Sequence, residues 1–515
     1  MRNLEFSEQI TYYQLLVYTE DYKTPDWFKG GIMYQIFPDR FYKGKSIVPE
    51  KGKWLHDNWN EMPEYRMNEQ GKVLNNDFFG GNFDGIVQKL DYLKGLGITV
   101  IYLNPIFKAY SNHRYDTGDY MQIDPLLGND ADFDNFITEC ERRGIAVILD
   151  GVFNHTGDDS RYFNKYGNYD ELGAYQSKDS KYYAWYNFKH FPDKYESWWG
   201  IDVLPSVNES CDSYANFITG TDGVIDYWIR RGVRGFRLDV ADELPDEFIE
   251  KIRNAAHAAR ADALIIGEVW EDASNKIAYS KRRKYLQGKE LDSVMNYPLK
   301  DAIIKFLKSE NTEVLREAIA QLRDNYPKCV LDSLMNILGT HDTSRILTVL
   351  GGMPAYNKDE MNVTVMSEEV KTKAKEQLKI AAVLQFTLFG VPCIYYGDEI
   401  GMEGYGDPFC RHTFSWDKID NDLLGYYKRL GKMRRYLTLF RDSEYRELYA
   451  DEKCLVYERA AGDQQVIVAI NLGNNLFDIK FNGKLFDLFD NDVFEGKFTI
   501  LPKSCAILSN LRLNI

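Results

Sequence analysis

The stretch GVRGFRLDVADELP, residues 232–245, places two charged residues inside a run that otherwise has the composition of a buried β-strand. Side chains alternate between the two faces of a strand, so Arg237 and Asp239 share one face. The other face takes the apolar residues Phe236, Leu238 and Val240. Burying two charges costs free energy unless they are paired or serve a function. The stretch therefore predicts a buried strand that carries an ion pair at its carboxyl end.

Seven further apolar runs resemble this one and alternate with amphipathic helical patterns. The eight candidate strands are IMYQIFPDRF (from 32), ITVIYLNPIF (98), IAVILDGVFNH (145), GFRLDVADE (235), ALIIGEVWE (263), LDSVMNYPL (291), SLMNILGTHDT (333) and CIYYGDEIGM (393). A doubly wound open sheet is the alternative. Because polar residues follow nearly every strand, the pattern favours an α/β fold of the closed (β/α)8 barrel type.

The spacing of the strands predicts the domains. The long gap between the strands at 145 and 235 predicts an inserted subdomain after the third strand, at about 156–215. After a last helix at about 421–437, short alternating strands such as QQVIVAINL predict a C-terminal all-β domain. The expected division is an N-terminal extension (1–30), a barrel (31–437) and a C-terminal β-sandwich (438–515).

The bulk composition excludes several classes of partner. The net charge of −15 argues against nucleic acid and against an anionic membrane surface, since both would repel the chain. No apolar run approaches the ~20 residues of a membrane span, and the first residues lack the pattern of a secretory signal. Seven scattered cysteines without a CxxC pair are typical of reduced thiols. We therefore expect a cytoplasmic protein.

Carboxylates follow four of the predicted strands, where a barrel builds its active site. Asp150, Asp239, Glu268 and Asp342 come at the ends of the third, fourth, fifth and seventh strands. One Arg–Asp pair two residues apart is more often structural than catalytic. Four acids at one end of a barrel would repel each other and destabilise a merely structural cluster, so the pattern favours a function.

Two reaction classes need such a cluster. Metal-assisted hydrolysis would use His155 and His341 with the acids, but the chain lacks the HxH and HExxH spacings of such sites. Glycoside hydrolysis needs one carboxylate and one carboxylic acid. An aromatic content of 14% suits sugar binding. The insertion is rich in rings, as in YYAWYNFKHFPDKYESWWG (182–200), although half or more of these would form the insertion's own core.

Four motifs in order resemble the conserved regions of the α-amylase family of glycoside hydrolases: DGVFNH (150–155), GFRLDVADE (235–243), GEVWE (267–271) and GTHDTSR (339–345). A fifth, LPSVN (204–208), is similar to the variant of neopullulanases, cyclomaltodextrinases and maltogenic amylases. It does not resemble the QPDLN of oligo-1,6-glucosidases. The resemblance extends from about residue 27 to the C-terminus.

The resemblance implies catalytic roles for three carboxylates. Asp239 matches the nucleophile, Glu268 the general acid/base and Asp342 the acid that holds sugar hydroxyls. Arg237 would then keep Asp239 ionised, while a more apolar or anionic setting would keep Glu268 protonated.

The resemblance also implies a set of substrate-binding residues. His155 and His341 match histidines that contact the sugar at the cleavage position, and Tyr115 matches a ring that stacks on it. The complete predicted set is His113, Tyr115, Asp150, His155, Arg237, His341, Asp407 and Arg411, in which the last Asp–Arg pair would grip the next sugar.

Cofactor, reaction and assembly follow as expectations. Asn154 matches a calcium ligand of relatives, but the loop FYKGKSIVPEKGKW (41–54) has lysines where ligands are expected, so we expect no required cofactor.

The expected activity is retaining hydrolysis of α-1,4 and also α-1,6 bonds in glucans and maltooligosaccharides. A glucanotransferase with the same residues and a non-catalytic glycan-binding barrel are the alternatives. With only about 30 residues before the first strand, too few for a β domain, we expect a monomer, or a dimer formed by a surface that relatives do not use.

Overall fold

The computed structural model describes residues 14–513, so part of the predicted extension, residues 1–13, lies outside it. Eight parallel strands occur where the sequence predicted them: β1 Met33–Ile36, β2 Val100–Leu103, β3 Ala146–Gly151, β4 Gly235–Leu238, β5 Leu264–Gly267, β6 Ser293–Val294, β7 Met335–Asn336 and β8 Val391–Tyr395. They pair in the order β6-β5-β4-β3-β2-β1-β8-β7. A parallel bridge between Met295 and Met335 joins the two ends. The sheet is closed, and the predicted barrel is confirmed.

Helices separate the strands and surround the barrel. Their bounds are α1 Pro38–Phe41, α2 Phe83–Gln88, α3 Leu90–Gly95, α4 Asp130–Arg142, α5 Asp212–Thr219, α6 Val224–Arg230, α7 Asp246–Ala259, α8 Tyr297–Ser309, α9 Thr312–Asn325, α10 Lys328–Leu331, α11 Ile346–Gly351, α12 Lys358–Val363, α13 Glu368–Thr387 and α14 Asn421–Tyr436. Among residues 14–513, no helix combines the length and the apolar character needed to cross a membrane.

The barrel has two hydrophobic cores because its strands alternate. In β5, Leu264 and Ile266 belong to the cluster inside the barrel, together with Met33 and Ile148. The intervening Ile265 belongs to the larger cluster between strands and helices. Strands buried on both faces are therefore continuously apolar, and a charged residue among them stands out in the sequence.

The region between β3 and β4 contains the predicted insertion. It holds two short helical turns, Tyr183–Trp185 and Trp198–Gly200, and a small hairpin of Phe188–His190 with Lys194–Tyr195. The predicted range was 156–215. Its last residues, from Asp212 onward, belong to α5. Further short strands lie in other loops, at Trp54–Leu55, Asp77–Phe78, Phe107–Ala109, Thr117–Ile123, Ile277–Ala278 and Lys281–Arg282.

The C-terminal region is all β. Its strands are β9 Glu444–Ala450, β10 Cys454–Ala461, β11 Gln464–Asn471, β12 Phe477–Asp487, β13 Val493–Ile500 and β14 Ser504–Ser509. They form one hydrogen-bonded sheet in the order β9-β10-β11-β14-β12-β13. Residues of β10, β11 and β14 share a small hydrophobic cluster with residues of β12 and β13. Tyr457 and Arg459 reach Thr387 at the end of α13, which attaches this region to the barrel.

Candidate active site

A cleft of about 1470 Å³ lies at the carboxyl ends of the barrel strands. The insertion and the loops that follow the strands form its walls. Nine of the predicted site residues line it together: His113, Tyr115, His155, Asp239, Glu268, His341, Asp342, Asp407 and Arg411. Residues that are far apart in the sequence therefore meet in one cavity.

Two predicted substrate-binding residues do not line this cleft. Asp150 and Arg237 are almost completely buried beneath its floor. Arg237 Nη1 donates to Asp150 Oδ1 and to Asp239 Oδ1, both at 2.8 Å. Asp150 Oδ2 also accepts from the hydroxyls of Tyr102 (2.6 Å) and Tyr115 (2.8 Å). The charged groups of both residues are thus bonded to protein partners, and their contact with substrate stays a prediction.

The backbone after β4 departs from the predicted alternation. The strand ends at Leu238, and Val240 has a left-handed conformation with φ 38°. This region of φ is strained for a β-branched residue and costs roughly 1–3 kcal/mol. The turn allows the Val240 N–H to donate to Glu268 Oε2 at 2.8 Å. Val240 therefore does not continue the apolar face of the strand, and its backbone contacts a candidate catalytic acid.

Glu268 is held by three different groups. Besides the Val240 N–H, Trp270 Nε1 donates to Glu268 Oε1 at 3.2 Å. Arg237 Nη2 lies 2.9 Å from Glu268 Oε2, a distance typical of an ion pair. Within residues 14–513, Nη2 has no hydrogen-bond partner. The guanidinium thus bonds Asp239 more favourably than Glu268.

The carboxyl groups of the cluster hold protons more strongly than exposed acids. Burial raises the pKa of Asp239 well above its usual value, although the charge of Arg237 opposes this shift. Burial also raises the pKa of Glu268 and of Asp342. Arg237 acts in the predicted direction, but burial outweighs it. The hydrogen bond from Arg237 favours the charged form of Asp239, and repulsion from Asp342 favours the protonated form of Glu268.

Asp342 lies across the cleft among cationic and aromatic groups. Arg411 Nη2 is 3.2 Å from Asp342 Oδ1, and Arg411 Nη1 is 2.8 Å from Asp407 Oδ1. His341 Nε2 is 3.1 Å from Asp342 Oδ2. The other ring nitrogen of His341 accepts from Gln35 Nε2 at 2.9 Å, which leaves the hydrogen of the neutral ring on Nε2, toward the cleft.

The three histidines of the cleft are neutral at physiological pH. Burial lowers the pKa of His113 to about 3 and that of His155 to about 4. Burial, together with Arg411 and Arg237, lowers the pKa of His341 well below its usual value. The ring of Tyr115 lies parallel to His341, with centroids 5.3 Å apart and an angle of 4°. Neutral imidazoles beside carboxylates suit hydrogen bonding to sugar hydroxyls.

The insertion supplies aromatic rings to the wall of the cleft. Trp198 stacks on His155 at 5.5 Å and on Trp199 at 5.0 Å. Trp199 is 76% exposed, and its Nε1 donates to Glu243 Oε1 at 3.1 Å, across to the loop after β4. Other rings of the insertion pack on each other, such as Phe163 against Tyr195. Part of the aromatic content therefore forms a core, and part lines the site.

Asn154 is the residue that the sequence places at a possible calcium position. Asn154 is buried and neither atom of its amide has a partner within residues 14–513. Calcium takes six to eight oxygen ligands, but across the described part of the chain no three acidic, histidine or cysteine side chains cluster as a metal site. In the lysine-rich loop, the buried ammonium of Lys53 lies 3.6 Å from Asp124.

Comparison with known proteins agrees with this geometry. A family model described as alpha amylase, catalytic domain, matches residues 35–423. The chain belongs to the alpha-amylase family. This member of the family is 35% identical to a cyclomaltodextrinase of Geobacillus thermopakistaniensis, over 89% of this chain and 71% of that protein. The predicted family is therefore confirmed.

Two further similarities extend the comparison of this alpha-amylase family chain. It is 39% identical to an amylopullulanase of Thermoanaerobacter thermohydrosulfuricus over 90% of its length, but spans only 34% of that relative. The solved structure of the type III pullulan hydrolase from Thermococcus kodakarensis superposes with a TM-score of 0.79 and 28% identity, covering 96% of this chain and 84% of that one.

Some residues of the site were not predicted from the sequence. Tyr102 and Gln35, on β2 and β1, orient Asp150 and His341. Polar side chains in apolar strands were a signal for both, because alternation turns them into the barrel. Trp270 and Glu243 lie inside the recognised motifs, but motif position alone does not show which loop they face.

Proposed function

We propose that this chain is a retaining glycoside hydrolase that cleaves α-1,4-glucosidic bonds, and also α-1,6 bonds, in starch-derived glucans and maltooligosaccharides. The observation that carries this proposal is the contact of Asp239 and Glu268 with the two terminal nitrogens of Arg237. One shared guanidinium favours the carboxyl separation of about 5–5.5 Å used by retaining enzymes over the about 6.5–9.5 Å of inverting ones.

In the proposed reaction the two acids act in sequence. Asp239 attacks the anomeric carbon while Glu268 gives its proton to the departing glycosidic oxygen, so the sugar is transferred to Asp239. Glu268 then takes a proton from water, and the resulting hydroxide equivalent displaces Asp239 from the sugar. Burial supports the first step by keeping a proton on Glu268, and the hydrogen bond from Arg237 supports the charge on Asp239.

The cleft is also suited to the expected ligand. Neutral His113, His155 and His341 and the ring of Tyr115 surround the carboxylates, and the paired Asp407 and Arg411 lie farther along the same cavity. Rings with a few convergent polar groups are typical of sugar sites. The relatives named cyclomaltodextrinase, amylopullulanase and pullulan hydrolase support an α-glucan as the substrate class.

The test is an analysis of products from maltooligosaccharides, soluble starch, pullulan and cyclodextrins. We expect release of short oligosaccharides from starch together with a fall in its average chain length, because the cleft is large and continuous. Retention of the α-configuration in the first product, followed by NMR, tests the double displacement. Products longer than a maltooligosaccharide substrate would favour the glucanotransferase, and inversion would overturn the proposed mechanism.

Two further features belong to the proposal. The enzyme works without a required metal ion, which is supported by the poor calcium donor set around Asn154. It works in the cytoplasm, which is supported by seven cysteines that are all free, as expected in a reducing compartment.

A further inference from the structure

A second cavity, of about 540 Å³, lies at the opposite end of the barrel from the cleft. Its wall includes Thr99, Ala146 and Arg234, which occur at or just before the first residues of β2, β3 and β4. Residues 27–31 and the last turn of α14 complete the wall. Arg234 and Asp239 lie at opposite ends of the same strand, so this cavity is separate from the candidate active site.

The charge of this cavity is opposite to that of the protein. Five cationic residues line it, against a single carboxylate, Glu141. The cationic residues are Lys29, Arg234, Arg434, Arg435 and Arg441. The whole chain has a net charge of −15. A concave surface of one sign attracts small ions of the other sign, and here it attracts anions.

Most of these cations lack a balancing carboxylate. Lys29 pairs with Asp26 and Arg234 pairs with Asp262. Arg434, Arg435 and Arg441 have no ion-pair partner within residues 14–513. Burial, together with repulsion from Arg459, lowers the pKa of Arg434 to about 9. The positive charge of this region is therefore uncompensated, and an anion in the cavity would stabilise it.

Helix capping explains only part of this cluster. Arg434 and Arg435 are in the last turn of α14, where cations interact favourably with the helix dipole. Arg434 also donates to the carbonyls of Phe386 and Gly390, at 2.6 and 2.9 Å. Arg441 lies beyond α14, at the end of a short 3-10 turn, Thr438–Arg441; its side chain is exposed and donates no hydrogen bond within residues 14–513. Arg435 and Arg441 thus have guanidinium groups available to a ligand.

We propose that this cavity binds a phosphate-bearing anion, either inorganic phosphate or the phosphate group of a small phosphorylated sugar. Guanidinium groups bind phosphate through paired hydrogen bonds, and several in one cavity select a dianion over a monovalent carboxylate. The volume is within the range of sites for small metabolites. Bound phosphate would connect the segment before β1, the base of the barrel and the end of α14. This inference does not depend on the proposed hydrolase activity.

The test measures binding of inorganic phosphate, glucose 1-phosphate and acetate to the whole protein by isothermal titration calorimetry at constant ionic strength. The informative variant is Arg435→Gln/Arg441→Gln, since both side chains are exposed and the fold does not depend on their burial. The matched control is Lys23→Gln/Lys432→Gln, which removes the same charge from exposed positions outside the cavity.

We expect saturable binding of a phosphate compound by the wild type and by the control, and an affinity at least about tenfold weaker in the Arg435→Gln/Arg441→Gln variant. Tighter binding of glucose 1-phosphate would identify a phosphorylated sugar as the ligand, and equal binding would identify the phosphate group alone. Absence of saturable binding at millimolar concentrations, equal binding of acetate, or an unaffected double variant would each overturn the proposal. Activity on maltooligosaccharides, measured on the same samples, reports separately on the proposed function.

Discussion

The two ends of β4 (Gly235–Leu238) differ sharply in charge. After the strand, Asp239 joins two other buried carboxyl groups, those of Asp150 and Glu268, around one guanidinium, that of Arg237. Before the strand, Arg234 joins four other cations beside one carboxylate. Between the two ends the interior of the barrel is packed with apolar side chains. The same strand therefore connects a site with excess negative groups to a site with excess positive groups.

The direction of the helices explains this difference. In a βα barrel each helix runs back along the strand before it, so helix N-termini lie at the carboxyl ends of the strands. The positive end of the helix dipole favours carboxylates there, and the negative end favours cations at the base. What the comparison teaches is that both sites use a polarity that the fold itself supplies. Each of the following predictions breaks or sharpens this contrast.

The largest effect is expected from Asp239→Asn. Loss of the attacking oxygen's charge should lower turnover at least about 10⁴-fold, while circular dichroism and phosphate binding at the barrel base remain unchanged. The measurement is kcat on maltotriose or a longer maltooligosaccharide. Asp301→Asn, an exposed change on α8, is the control and should be fully active. Equal activity of the two variants would contradict the nucleophile assignment.

A smaller and selective effect is expected from Glu268→Gln. General acid catalysis contributes about 10²–10⁴-fold, so kcat on natural glucans should fall by that factor. An aryl maltoside with a good leaving group needs little protonation, and should therefore recover a large part of the rate in this variant but not in Asp239→Asn. Equal recovery in both variants would show that the two roles are wrongly assigned.

A moderate effect on stability is expected from Glu290→Gln. Glu290 is 3% exposed, and burial raises its pKa from 4.5 to about 8. Between these two pH values the folded state binds a proton that the unfolded state has lost. The free energy of unfolding therefore falls as the pH rises through this window and levels off above it.

In the variant, the free energy of unfolding should no longer fall with pH in this window. Urea unfolding at several pH values between roughly 5 and 8.5, the window set by the pKa shift, measures it. Glu317→Gln, on the exposed side of α9, is the control. Glu290 is a buried acid that accepts no hydrogen bond from an arginine within residues 14–513, whereas Asp239 accepts one from Arg237. If the free energy of unfolding of Glu290→Gln depended on pH as it does in the wild type, the raised pKa of Glu290 would be refuted.

The smallest effect is expected from chelation. If neither end of the barrel uses a metal ion to balance its charge, incubation with EDTA should leave kcat/KM and the Tm unchanged. If EDTA lowered kcat/KM or the Tm and added calcium restored it, Asn154 would belong to a metal site. Thermal unfolding and initial rates on one chelated sample provide both measurements.

The barrel was predictable because its strands are buried on both faces and thus form distinct apolar runs. The candidate site was predictable where motif and position coincide, as for Asp239, Glu268 and Asp342. The floor of the site was not predictable. Strand alternation shows that Asp150 and Arg237 point into the barrel, but it does not show how deeply they are buried. The left-handed turn at Val240 has no sequence signal, because valine is among the residues that disfavour it.

By itself, the sequence determined the order of strands and helices, the identity of the acids at the strand ends and the family. These depend on local periodicity and on residue types, which are present in the chain before it folds. Only the tertiary structure decided that one guanidinium serves Asp150, Asp239 and Glu268, and that burial outweighs its charge in setting the pKa of Asp239. It alone also brought arginines from the residue before β4, from α14 and from the segment beyond α14 into one cavity. Such features depend on distances between segments far apart in the chain, and on the water excluded from between them.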